Sequence, residues 1–200
     1  MSQVFDRGFK TWCEKVSEDF RADLELKTSD PLDAWAFAEH LGIFVWTPEE
    51  VPGLDGGALT QLVKTDSSSW SAVTICQNSH ELIIVNSQHS HARQSSNLMH
   101  EMSHLIIGHS PARVDVDETG LLMLSSFDKK QEEEANWLAG TLLLPRSALM
   151  LILNTQIEDR TAAARYNTSL DMLRWRKNVT GVLRQMQHRK SYSAGKAKAK

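Results

Sequence analysis

Val4, Phe5, Phe9, Trp12, Val16, Phe20 and Leu24 recur at spacings of three and four, with charged residues between them. That period belongs to one face of an α-helix. It predicts a long amphipathic helix within residues 1–29 that packs against the body. Ser29-Asp30-Pro31 is a helix-start signal, with Pro near the first helical position. The helix it opens runs through Leu32, Trp35, Ala36, Ala38, His40 and Leu41 to a stop at Gly42. Ile43 to Trp46 reads as a strand, and Thr47 to Gly57 as a loop punctuated by Pro52, Gly53, Asp55 and Gly56. Ala58 to Lys64, Ser71 to Gln77 and Leu82 to Val85 alternate or run apolar and are predicted as strands, with a turn at Gln77–His80. Together they predict a small, largely antiparallel sheet just ahead of the next helix.

No Pro falls between Ala92 and Ser110, and Gly108 supplies a stop, so a helix is expected from about Ala92 to Ile107. It carries His100-Glu101-Met102-Ser103-His104. Residues four apart share a helix face, so His100 and His104 can grip one metal ion. Glu101 sits beside them, placed to take a proton from a water at the ion. Two histidines, a carboxylate and an open fourth position make a catalytic zinc arrangement. Manganese is the alternative, since geometry and availability matter as well as ligand type. The competing reading is an ordinary packed helix bearing two histidines. His80, His89 and His91 read as solvated loop residues rather than ligands. Arg93, two turns before His100, either pairs with an acid on that side or is solvated.

Two histidines leave the third ligand open. The metzincin pattern needs a Gly three residues after the second His and a His six after it, and Ile107 and Ser110 stand there. His109 is a minor candidate, beyond the helix stop. The stronger source is a helix from Asp128, its expected N-cap with Gln131 as box partner, to Leu144 before Pro145. Glu132 heads a stripe with Ala135 and Ala139 that can pack closely on another helix, and a buried carboxylate there needs a partner. Glu133 and Glu134 are expected to face solvent, though either remains an alternative ligand. The whole triple also suits a charged first turn favoured by the helix dipole.

Composition narrows the setting. Two hundred residues with 41% hydrophobic content allow one domain with at most a small appendage. No run of 18 apolar residues exists, so no membrane span is expected. The first 25 residues carry charges throughout, which predicts no secretory leader. Cys13 and Cys76, without a CxxC partner, argue for a reducing cytoplasmic setting and for small buried or half-buried thiols. The net charge of -3 hides an asymmetry: residues 160–200 carry +10 and the first 159 carry -13. Within the basic part, Thr161 to Tyr166, a turn at Asn167-Thr168 and a helix capped by Ser169 resemble a helix-turn-helix, with Arg174, Arg176 and Lys177 on the second helix. That helix either enters a DNA major groove or packs through Trp175, Val179, Val182 and Leu183, and packing is the preferred reading. Residues 191–200 are low in complexity and expected to be disordered. The division expected is 1–29 amphipathic helix, 30–157 core, 158–188 helix-turn-helix-like segment and 189–200 basic tail.

A family resemblance joins these pieces. Arg93 to His109, with His100-Glu101-Met102-Ser103-His104 and Gly108-His109, resembles the signature of the ImmA/IrrE family of metallopeptidases. So does Glu132 to Ala139 followed by Leu142-Leu143-Leu144-Pro145, and Leu82 to Ser87 and the Asp30-Pro31 helix leading into Gly42-Ile43 fit as well. The resemblance covers about residues 30–180. It implies a zincin-like α+β domain, His100, His104 and Glu132 as zinc ligands, Glu101 as general base, and a helix-turn-helix repressor as the protein substrate. A zinc endopeptidase controlling transcription is the expectation. The rival is a non-catalytic metal-binding regulator whose basic C-terminal segment binds DNA or a repressor.

Overall fold

A computed structural model describes residues 5–77, 80–109, 114–116, 122–124 and 128–189. Helix α1 (Phe9–Asp23) leads to α2 (Ala34–His40), strand β1 (Phe44–Trp46), a short helix α3 (Gly56–Thr60), and strands β2 (Ala72–Gln77) and β3 (His80–Val85). Helix α4 (His91–Ile107) follows, then a two-stranded pair, β4 (Val114–Val116) and β5 (Leu122–Leu124). Helices α5 (Lys129–Leu143), α6 (Arg146–Thr155), α7 (Asp159–Arg165) and α8 (Leu170–Val179) complete the chain, and residues 182–189 are also helical. The architecture is mixed α+β.

Helix α4 lies at the centre, with the sheet and α2 packed on one side and α5 on the other. Helices α1 and α8 pack in turn on α5. The sheet order is β1-β3-β2, with β3 parallel to β1 and antiparallel to β2. The sheet is therefore mixed, not antiparallel as the pattern suggested. Helix α3 and strand β2 lie between β1 and β3 in the chain, which gives the crossover that a parallel pairing requires. Ile83 and Val85 on β3 are buried, and the register puts Thr74 opposite Ile83. Thr74 therefore shares the α4-facing side of the sheet. The other face leaves Phe44, Val73 and Ile75 exposed at 55%, 49% and 44%.

Two boundaries differ from expectation. Helix α2 begins at Ala34 because Asp33, not Ser29 or Asp30, caps it, accepting from the backbone N–H of Trp35 and Ala36. Residues 58–64 are helical rather than a strand: Asp55 accepts from the N–H of Gly57 and Ala58, and a wider turn, Gln61–Thr65, extends the coil. Leu59, Leu62 and Val63 also fit the helical spacing. The tip of the Gln77–His80 turn and the tail beyond residue 189 lie outside the described residues.

The buried line of α1 is not the aromatic stripe but Cys13, Ser17 and Arg21, four residues apart. Its polar members serve the end of α5, where the last carbonyls have no partner within the helix. Ser17 Oγ donates to Thr141 O at 3.2 Å and Arg21 Nη2 to Leu142 O at 2.7 Å. Arg176 Nε donates to Leu144 O at 3.1 Å. Pro145 then breaks the helix, and α5 and α6 meet at 48°. Glu14 accepts from Arg146 N at 2.9 Å and from Arg176 Nη2 at 3.0 Å, securing both α6 and α8. At Gly140 a Cβ would come within 2.7 Å of Trp175 Cζ3 and 3.0 Å of Arg176 Cδ, so α8 approaches α5 over a bare backbone. No single described helix is long and apolar enough to cross a membrane.

The C-terminal pair forms as the sequence suggests: Tyr166 ends α7, Asn167 takes a positive φ of 46°, and Ser169 Oγ caps α8. The inward face agrees with expectation at Val182 and differs at Val179 and Leu183. Leu173 and Val182 are buried, whereas Val179 and Leu183 are exposed. Arg176 is 0% exposed, and Lys177 is buried with its ammonium on Asp159. Of the three cations assigned to a groove-reading helix, only Arg174 is exposed.

Candidate metal centre

Helix α4 spans 17 residues from His91 to Ile107, one more at its start than the expected Ala92 to Ile107, and Gly108 ends it in the left-handed region at φ 78°. His100 and His104 lie one turn apart on the side that faces α5. Their Nε2 atoms are 3.1 Å apart. Glu132, in the first turn of α5, places Oε2 3.3 Å from His100 Nε2 and Oε1 3.5 Å from His104 Nε2. One ligand atom from each of the three lies within 4.8 Å of the others. Asp128 starts this turn by accepting from Lys130 N and Gln131 N, which fixes the rotation of Glu132 about the axis.

Hydrogen-bond logic decides which ring nitrogens are bare. His100 Nδ1 faces Asn136 Oδ1 at 3.1 Å, so Nδ1 donates and Nε2 keeps its lone pair. His109 Nε2 faces Glu134 Oε2 at 3.2 Å, and an ionised carboxylate only accepts, so the proton sits on that nitrogen. His109 Nδ1 is then an acceptor. It accepts a hydrogen bond from His104 Nδ1–H across 2.9 Å, which leaves His104 Nε2 bare. Two lone-pair nitrogens and two carboxylate oxygens thus converge with no donor among them. Acceptors crowded like this call for a cation. A tetrahedral ion with bonds of about 2.0–2.2 Å spaces its ligands about 3.3–3.6 Å apart. The observed 3.3 and 3.5 Å match that spacing and the 3.1 Å between the two imidazoles is slightly tighter, so the donor set fits a divalent ion.

The electrostatics agree. Burial, followed by repulsion from His100 and His109, pushes the His104 pKa down to about 4, so the ring stays neutral near pH 7. Glu101, on α4 beside His100, accepts from Thr74 Oγ1 at 2.6 Å. Burial raises its pKa, the Thr74 hydrogen bond and His100 lower it, and Glu132 raises it again.

The remaining histidines stand elsewhere. His91 stacks on Trp35 with ring centroids 4.5 Å apart and its Nδ1 lies 3.0 Å from Asn167 Oδ1. His89 contacts Asn97 at 3.3 Å. His80 lies on the exposed start of β3. His109 backs His104 from the Nδ1 side and adds no atom to the cluster. Glu134 is buried, not solvent-facing, because the turn at Gly108 brings His109 over it. Glu133 lies toward Lys129 at 3.8 Å. Arg93 is exposed.

Two supporting residues and one pairing escaped the sequence reading. Asn136 had a usable signal, since it lies four residues after Glu132 and shares its face. Thr74 had none, because its contact depends on strand register. The pairing of His109 with Glu134 depends on how α4 ends, although Gly108-His109 marked the turn.

Residues 60–177 match the family model described as the IrrE N-terminal-like domain, a peptidase family. The span runs from the end of α3 into α8 and contains the whole cluster. No curated protein gives a match.

Proposed function

The chain belongs to the IrrE N-terminal-like domain family of peptidases, and from that premise we propose that it is a cytoplasmic zinc-dependent endopeptidase with a helix-turn-helix repressor as its substrate. The observation that carries the reading is the cluster of His100, His104 and Glu132 with Glu101 alongside. His100 and His104 from α4 and Glu132 from α5 would hold the ion. A divalent ion there supplies Lewis acidity to the scissile carbonyl and brings the pKa of a nearby water to about 7.

Glu101 takes the proton of the attacking water and returns it to the leaving amine. Burial pushes its carboxyl upward, toward the working pH, and the Thr74 hydroxyl keeps one oxygen engaged so that the other is directed at the water. Strand β2 has no neighbour on its outer edge among the described residues, so an extended substrate can add there as a further strand. Thr74 then links the bound strand to the base. The repressor substrate rests on the resemblance to the ImmA/IrrE family. Its cleavage would release transcription.

Metal analysis and one variant test this. About one zinc per chain is expected, lost in His104→Ala and in Glu132→Ala. Glu101→Gln is expected to keep the metal and lose cleavage by at least about a hundredfold. Wild-type cleavage by that variant would end the mechanism.

The charge of +10 over residues 160–200 favours a second reading, a metal-binding regulator that contacts DNA. Arg176 and Lys177 already hold internal partners, which leaves that reading with exposed Arg160, Arg165, Arg174 and Arg184 and the basic residues beyond them. A DNA shift that weakens steeply with salt would support it, and no binding at low salt would remove it.

A further inference from the structure

A cleft of about 600 Å3 opens between α5 and α8. It starts one side chain away from the metal cluster. Asn136, whose Oδ1 meets His100 Nδ1, lines it, as does Glu133, the neighbour of Glu132. Its walls are aromatic and soft: Trp137 and Trp175, set edge to face with centroids 5.8 Å apart, together with Phe5 and Met172. Its only charged lining residues are acids, Glu133 and Asp171, and no described cation forms an ion pair with Asp171.

We infer that this cleft is the substrate-selecting subsite of the proposed peptidase and that it takes a basic side chain of the substrate, arginine ahead of lysine. The inference rests on the peptidase reading for its function but not for its binding chemistry. Aromatic faces attract cations. A guanidinium is planar, stacks on indole and offers five donors to a rim that presents carboxylate oxygens. The molecule already shows both halves of this recognition with its own side chains. Lys10 Nζ sits 3.8 Å above the Trp137 ring, and Lys129 Nζ lies 3.8 Å from Glu133. Lys129 is 81% exposed and is readily displaced from a contact that long. The volume exceeds one side chain, so the residue next to the basic one also enters and meets Phe5 and Met172. A peptide lying across His100 reaches the cleft past Asn136.

The test separates binding from cleavage. Metal-loaded Glu101→Gln protein is titrated by tryptophan fluorescence with capped hexapeptides carrying Arg or its neutral isostere citrulline at one central position. The Arg peptide is expected to bind at least about tenfold more tightly, and Asp171→Asn is expected to remove most of that difference. High salt is expected to shrink it. Equal affinity, or a preference unchanged in Asp171→Asn, overturns the subsite. In parallel, wild-type protein digests a randomised peptide library and the cuts are mapped by mass spectrometry. Basic residues enriched at one fixed place relative to the cut support the proposal. Cutting without that enrichment overturns the subsite and leaves the peptidase reading standing. No cutting, with the Arg preference intact in the titration, overturns the peptidase reading and leaves the binding site standing.

Discussion

Thr74 Oγ1 donates a 2.6 Å hydrogen bond to Glu101 Oε2, tying edge strand β2 to the helix that carries the histidines. The bond stabilises the carboxylate and so holds the Glu101 pKa below where burial alone would put it. Thr74→Val removes the donor and keeps the shape. The pKa of Glu101 then rises, and the acidic limb of kcat/KM moves to higher pH while metal content stays the same. A limb that does not move would show that Glu101 is not the titrating base.

Behind His104, the chain of His109 and Glu134 sets which nitrogen is bare. Outer partners of metal ligands typically carry about 10–100-fold of the affinity. His109→Ala and Glu134→Gln are each expected to weaken zinc binding by about that factor, read by competition with a chromophoric chelator. His91→Ala, which touches Trp35 and Asn167 instead, is expected to leave it unchanged. Equal affinity in all three variants would mean that the tautomer of His104 is fixed by some other contact.

Arg176 is a structural cation. Its guanidinium holds Leu144 O and Glu14 with no exposure to water. Removing one partner of a buried pair costs about 3–5 kcal/mol. Arg176→Met is expected to lose about that much in urea unfolding, whereas Arg174→Ala stays within about 0.5 kcal/mol. A stable Arg176→Met protein would reopen a surface role for that helix.

The two cysteines part company. Burial pushes the Cys13 thiol up to about 12 from 9.0, and Cys76 is exposed on β2. One thiol is expected to react with a disulfide reagent in the native protein and two after unfolding. Cys13 is protonated more readily in the folded state, so its contribution is full below pH 9.0 and is lost as pH rises toward about 12. Two fast thiols in the native protein would contradict that burial.

Much of this was legible from spacing. The four-residue interval of the histidines, the absence of Pro up to Ser110 and the cap at Asp128 defined both helices that bear the cluster, because those signals are local. The parts that were missed depend on long-range geometry. Whether Glu134 faces out or in depends on where His109 returns after Gly108. Whether Arg176 faces DNA or the core depends on carbonyls of α5 that lie 32 residues away in sequence. The strand expected at residues 58–64 failed for a local reason, since Asp55 caps a helix that the apolar spacing of Leu59, Leu62 and Val63 also permits. The uncovered face with Val73 and Ile75 reflects a sheet packed on one side only, which composition cannot reveal, and Cys76 is exposed near the end of β2 although it shares the side of Thr74.

The bare backbone at Gly140 acts as a spacing gauge. It sets how near Trp175 can stand to α5, and so how wide the neighbouring cleft opens. A single added methyl would push the indole outward and widen the gap beside Asn136. The fit of a ligand could then be retuned from a position that touches neither the ligand nor the metal cluster.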